Sequence, residues 1–238
     1  MIFSSISDTG KVRTQNEDNY SNLITKDFSL FVVADGMGGH NAGEVASNTA
    51  VECIKNYILE KGPREDYSTV LENAVVYANN KILEKAKLNS KYSQMGTTVI
   101  CALIADNKAY IAHLGDSRVY HLSDKKLKQI TRDDSYVQGI LDTGIEDLDK
   151  DFVENYKNIV TKALGIKSNI EINTNIIDLK KGDYIVLVTD GLTNLVDDSE
   201  IEEVINLDLD IKEATEILVY MANSSGGFDN ITVTLVKV

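Results

Sequence analysis

The chain has little of what several common protein chemistries need. Among its 238 residues there are two cysteines, three histidines, one proline and no tryptophan. Two cysteines cannot make a disulfide framework. Cys53 falls on the apolar face of an expected helix and Cys101 inside an apolar strand, so both read as buried free thiols. His40, His113 and His121 share no zinc-like spacing, and no cysteine pair lies near them. His113, at an expected strand end, and His121 read as structural or surface residues. Basic residues are outnumbered, 24 against 37 acids, for a formal net charge of −13. Phosphate backbones and anionic lipids call for Lys and Arg, so nucleic acid and membrane surfaces are excluded as main partners. No run reaches the roughly 18 apolar residues of a spanning helix. The N-terminus, Met1-Ile-Phe-Ser-Ser-Ile-Ser, lacks the basic and apolar regions of a signal peptide. The expectation is a cytoplasmic monomer forming a single domain over residues 1–238.

What is present is enough apolar residue for a core, 43% of the chain. Near-continuous apolar runs at 28–34, 97–105, 109–114 and 184–188 fit strands covered on both faces. The run at 231–236 alternates, which fits a strand with one more polar face. Shorter strands are expected at 2–7, 19–25, 117–122 and 170–178. Three-four apolar spacing predicts helices over about 42–58, 66–88 and 211–223, the first two separated by Gly62-Pro63. This order is not the regular strand-helix alternation of a parallel sheet. It fits an α+β layered fold with antiparallel sheets inside and helices outside. The weakly patterned stretch 132–168, with Gly139, Gly144 and an acid run at 146–151, fits a loop-helix excursion over a sheet edge.

Four acidic motifs lie far apart at expected strand ends: Glu17-Asp18, Asp35-Gly36, Asp190-Gly191 and Asp229-Asn230. Asp35 ends an apolar strand, and Gly36, Gly38 and Gly39 then allow close backbone approach to a ligand. The same segment also reads as a glycine turn before a helix. Asp190-Gly191 repeats the design after a second apolar strand. Arg13 offers a planar cation suited to phosphate or carboxylate, and equally an ion-pair partner for a neighbouring acid. Asp116 adds a further carboxylate. All the candidate ligands are oxygen donors, which points to Mg²⁺ or Mn²⁺ rather than Zn²⁺. Clustered carboxylates repel one another unless cations join them. Two such ions can activate one water toward phosphorus.

In order, Arg13-Thr-Gln-Asn-Glu17-Asp18, Asp35-Gly-Met-Gly-Gly-His40, Gly96-Thr97-Thr98, Gly115-Asp116-Ser117-Arg118, Leu164-Gly165, Thr189-Asp190-Gly191 and Gly227-Phe-Asp229-Asn230 span almost the whole chain. This ordered set resembles the metal-dependent protein Ser/Thr phosphatases of the type 2C (PPM) family in their compact bacterial form. The resemblance implies a four-layer αββα sandwich, two antiparallel sheets flanked by helices, with residues 132–168 as a flap. It implies hydrolysis of protein phosphoserine and phosphothreonine by a metal-bound water at a two-ion Mn²⁺ or Mg²⁺ centre. Asp35 would bridge the ions, with the Gly36 carbonyl on one. Asp190 and Asp229 would complete the other, and Glu17 and Asp18 would act through water. Asp116 would serve a third ion, with Asp190. Arg13 would hold the phosphate, which gives Arg13, Asp35 and Asp190 the catalytic roles. Asn230 and Arg118 would brace their neighbours. His40 would either touch substrate or start a helix. A cognate bacterial Ser/Thr kinase is the implied counterpart. The rival reading is an inactive module that binds phosphoproteins. Met37 stands where some members of the family carry a histidine proposed as general acid. Asp133-Asp134-Ser135 and Glu154-Asn-Tyr-Lys-Asn158 depart from the usual flap triplet D-H-S and stretch H-P-x-R-N.

Overall fold

A computed structural model describes residues 1–238 except 39–41, 63–65, 146–147 and 208. Two five-stranded antiparallel sheets stack face to face. The first runs in the order β1 (Ile2–Asp8), β12 (Ile231–Lys237), β11 (Tyr184–Val188), β8 (Arg118–Ser123), β9 (Lys126–Gln129). The second runs β10 (Asn173–Asp178), β7 (Lys108–Leu114), β6 (Val99–Ala105), β3 (Ser29–Ala34), β2 (Asn19–Ile24). A short pair, β4 (Gly36–Met37) and β5 (Gly96–Thr97), extends from the second. The expected strand 97–105 is therefore two elements, because Thr97 turns away to pair with Gly36.

Alternation along each strand sorts the core into layers. Phe31 and Val33 of β3 meet Val119, Ile185, Leu187 and Val236 between the sheets. Leu30, Val32 and Ala34 face the other way, against helices α1 (Ala42–Lys61) and α2 (Tyr67–Leu88). On the far side Val186, Val188, Ile231, Val233 and Leu235 pack under α5 (Asp190–Thr193), α6 (Asp198–Asn206) and α7 (Ile211–Ser224). The result is the expected helix–sheet–sheet–helix order. Between β9 and β10 the chain makes α3 (Tyr136–Leu141) and α4 (Lys150–Tyr156), tied back by bridges Ser135↔Val160 and Thr97↔Leu164.

The more polar face expected of β12 is present but turned inward: Thr232 and Thr234 are fully buried. Their hydroxyls pair across the strand with Ser7 and Ser5, each at 2.8 Å. Helix α6 and strand β9 were not expected. α6 starts in the polar run Asp197-Asp198-Ser199-Glu200, which resembles a loop but forms a capping box between Asp197 and Glu200. β9 follows a tight turn with Asp124 and Lys125 at φ 51° and 64°. Among the described residues, no helix is long and apolar enough to cross a membrane.

Candidate metal centre

Antiparallel pairing explains why acids distant in sequence meet. Asp35 follows the end of β3, and Glu17-Asp18 precede β2, its neighbour in the sheet. Asp190 follows β11 and Asp229 precedes β12, again neighbours. Asp116 lies in the β7–β8 connection that crosses from one sheet to the other. All of these strand ends open on one edge of the sandwich. There a cavity of about 310 Å³ is lined by Arg13, Glu17, Asp35, Gly36, Asp116, Asp190 and Asp229, with Met37, Thr98, Asn158 and Asn230 at its walls.

Asp18 lies just behind this cavity rather than on its lining. It is buried, and its Oδ2 accepts hydrogen bonds from Thr232 Oγ1 at 2.6 Å and Thr189 Oγ1 at 3.0 Å. Glu17, its neighbour in the chain, lines the cavity, while Asp18 is held behind it by those two hydroxyls. Arg13 Nη2 lies 2.8 Å from Asp229 Oδ2, an ion pair with an acid distant in sequence rather than with the nearby Glu17 or Asp18. His40, expected at the substrate, lies outside the described residues. His113 is buried with Nε2 2.9 Å from the Arg132 carbonyl, and His121 Nε2 is 2.8 Å from Asp183 Oδ2. Of the two free cysteines, Cys101 is buried and Cys53 half-buried.

The backbone around the acids is held firmly. Asp35 N donates to Thr98 Oγ1 at 3.1 Å, and the Asp35 carbonyl accepts from Thr97 Oγ1 at 2.7 Å and Thr98 N at 2.9 Å. Asn230 Oδ1 accepts from Glu17 N at 2.8 Å, while its Nδ2 donates to the carbonyls of Thr9 and Gln15. Asn230 thereby fixes the Arg13 loop to the end of β12, the bracing role its motif implied. Arg118 braces differently: its Nε and Nη2 fork onto Asp133, at 3.0 and 2.7 Å to Oδ2. Asp134 accepts from Gly115 N at 3.1 Å and from Lys162 at 3.1 Å. Asp133, which matches the usual flap triplet, and Asp134, which departs from it, are thus both ties at the base of the 132–168 excursion. Sequence reasoning also missed Asn194, whose Nδ2 donates to Asp190 Oδ2 at 3.0 Å and to Asn158 Oδ1 at 3.3 Å. It lies four residues after Asp190, so helical spacing was the available signal.

Glycine beside the acid is required at one position above all. A Cβ on Gly191 would lie 2.0 Å from the Asn230 carbonyl oxygen. Gly191 is helical, where alanine ordinarily stabilises by about 1 kcal/mol. Here Gly191→Ala is expected to destabilise by roughly 3 kcal/mol through overpacking against backbone. In a chain of this size that lowers Tm by about 10 °C, read by calorimetry; an unchanged or raised Tm would refute the contact.

The electrostatics are those of acids packed without counter-charge. Burial pushes the Asp35 carboxyl well above its ordinary range, reinforced by Asp18, Asp190, Asp116 and Asp229. Burial likewise raises Asp18 to about 7, against the opposing hydroxyl bonds of Thr232 and Thr189. Asp116 rises to about 7 by burial and the nearby Asp190. Asp190 and Glu17 also rise, each chiefly by burial. Asp18 Oδ1 and Asp190 Oδ1 are buried with no hydrogen-bond partner. Among the described residues no three acids converge on a single ligand point. Instead Asp18, Asp190 and Asp229 each have an oxygen tied to a protein donor. An all-oxygen donor set, mutual repulsion and orphaned buried oxygens together fit hard divalent cations.

Comparison with known proteins agrees with this geometry. The sequence profile described as Protein phosphatase 2C matches residues 10–229. The serine/threonine phosphatase stp of Listeria monocytogenes is 37% identical over 236 residues, covering 97% of this chain and 93% of its own. The crystal structure of serine/threonine phosphatase Stp1 from Staphylococcus aureus superposes with a TM-score of 0.92 at 32% identity, covering 99% and 94% of the two chains. The catalytic domain of the serine threonine protein phosphatase PstP, solved in complex with two manganese ions, gives 0.87 at 32% identity over 99% and 97%. The acids brought together at one sandwich edge and the family's sequence profile lead to the same place: this chain belongs to the protein phosphatase 2C family.

Proposed function

We propose that this protein is a metal-dependent phosphatase that removes phosphate from phosphoserine and phosphothreonine in proteins. The observation that carries the reading is the cavity in which Arg13 stands among Glu17, Asp35, Asp116, Asp190 and Asp229. A phosphate monoester needs cations around its oxygens, and an otherwise acidic cavity supplies them by holding metal. Two Mn²⁺ or Mg²⁺ ions would supply Lewis acidity and an activated water. Asp35 with the Gly36 carbonyl, Asp190 and Asp229 would hold them, Glu17 and Asp18 acting through water and Asp116 toward a third ion with Asp190. Asn194 and Thr189 orient these ligands by taking one oxygen of Asp190 and of Asp18.

Arg13 is the cationic side chain among the cavity's lining residues. Its side chain is 51% exposed, and its ion pair with Asp229 leaves much of the guanidinium free to fork onto phosphoryl oxygens. Met37 lines the cavity and offers no proton to a departing serine or threonine oxygen. The manganese complex of PstP and the phosphatase names of the relatives support the assignment. The reading extends to a single catalytic domain with 132–168 as its flap, working as a monomer in the cytoplasm against a bacterial Ser/Thr kinase. The two free cysteines suit a reducing compartment.

Arg13→Ala tests the phosphate role. The expected result is a rise in KM for a phosphothreonine peptide of roughly 10-fold or more, from loss of a charge-assisted contact of about 1.5–3 kcal/mol. Mn²⁺ affinity by calorimetric titration should fall far less. Unchanged kinetics with lost metal binding would contradict the assignment. Wild type that retains phosphopeptide without releasing phosphate would favour the inactive binding module.

A further inference from the structure

Beside the catalytic cavity runs a second groove, of about 410 Å³, lined by Arg13, Lys157, Asn158, Leu195, Phe228 and Asp229 among others. It shares Arg13, Asn158 and Asp229 with the cavity, so the two are continuous. On its wall stands Phe228, 62% exposed, between buried Gly227 and half-buried Asp229. The ring is not a free loop side chain. It lies against Gly226, where a Cβ would come within 2.5 Å of two ring atoms, and Gly226 has φ +133°. The Gly227 carbonyl accepts from Lys11 N at 2.8 Å and Val12 N at 3.2 Å, and Gly227 N donates to the Ala222 carbonyl at 3.0 Å. The loop carrying Phe228 is thus pinned to the loop carrying Arg13.

The charges lining the groove are already matched. Arg13 pairs with Asp229 at 2.8 Å and Lys157 with Glu154 at 2.9 Å. Besides the part of the Arg13 guanidinium left for phosphate, the groove offers apolar surface, that of Phe228 with the half-buried Leu195 also in its lining. A phosphorylated side chain in a protein carries main chain on both sides, so flanking residues must lie on surfaces that adjoin the cavity. Phe228 is one peptide unit, about 3.8 Å between Cα atoms, from Asp229. We propose that this groove is a substrate subsite in which Phe228 receives an apolar side chain one or two residues from the phosphorylated serine or threonine. The proposal rests on the phosphatase reading and adds the sequence preference of that same site.

The test uses the full chain with Mn²⁺ and phosphothreonine peptides that differ only at the positions flanking the phosphoresidue, Leu or Phe against Ser. Wild type should favour the apolar peptides about 10-fold in kcat/KM, carried by KM, the size expected of one buried apolar group. In Phe228→Ala that ratio should fall to within about 2-fold. A wild-type ratio near one, or a ratio that Phe228→Ala leaves intact, overturns the subsite alone. Failure of wild type to hydrolyse any substrate, p-nitrophenyl phosphate included, overturns the phosphatase reading and the subsite with it.

Discussion

Asp190→Ala should reduce Mn²⁺-dependent hydrolysis of a phosphothreonine peptide by roughly 10³-fold or more. The size follows from Lewis-acid catalysis, which contributes several kcal/mol to the barrier, at 1.36 kcal/mol per decade of rate. The structure explains why this one side chain matters so much. Asp190 lines the cavity, its Oδ1 is buried without a partner, and its Oδ2 is fixed by Asn194 at 3.0 Å. One oxygen is anchored and the other is left free, the arrangement of a ligand oriented by an outer partner. Calorimetric titration should show weaker or fewer Mn²⁺ sites in the variant, with the fold retained by circular dichroism. Turnover within a few-fold of wild type would remove Asp190 from the mechanism.

The second large effect concerns stability without metal. Asp18 and Asp116 are both raised to about 7 from an ordinary 3.8, chiefly by burial. A raised carboxylate means that the folded state binds more protons than the unfolded one between about pH 4 and 7. Stability then falls as pH rises through that window, and the full penalty is present above about pH 7. Chelated protein should therefore melt lower at pH 8 than at pH 5.5. Bound cations reverse the sign, because they favour the ionised acids. Mn²⁺ at 100 times its Kd contributes about 2.7 kcal/mol per site. For a chain of this size that raises Tm by about 5–10 °C per site. The rise should be largest at pH 8 and much smaller at pH 5.5. General repulsion in a chain of net charge −13 would give a similar slope. Asp116→Asn separates the two causes: it removes one of 37 acids yet should visibly flatten the slope of the chelated protein. A slope unaffected by Asp116→Asn would assign the effect to overall charge.

The features legible in the sequence were those imposed by simple periodicity. β3 and β6 are buried on both faces and read as continuous apolar runs. The long helices α1 and α2 carry an apolar stripe over many turns. The acids were legible as strand-end motifs, because Asp-Gly after an apolar strand is a local signal. What was not legible depends on which way a side chain turns or on partners far away. Nothing local tells that Asp18 is cradled by Thr189 and Thr232 behind the cavity while Glu17 faces it. The polar face of β12 gives no local sign that it lies inside, because its partners, Ser5 and Ser7, lie at the other end of the chain. The ties Arg118–Asp133 and Asp134–Gly115 likewise exist only once β8 meets the 132–168 segment. α6 was lost because an acidic capping box reads as a loop until the helix behind it is seen.

The central claim is that the acid cluster is a metal-loaded centre for phosphate monoester hydrolysis. The most direct measurement is phosphate release from a phosphothreonine peptide by chelated wild-type protein as Mn²⁺ is added back, with Mn²⁺ binding followed in the same titration. The expected result is no release in chelator and a rate that climbs with Mn²⁺ occupancy to a plateau. Release at the same rate with and without chelator would contradict the claim.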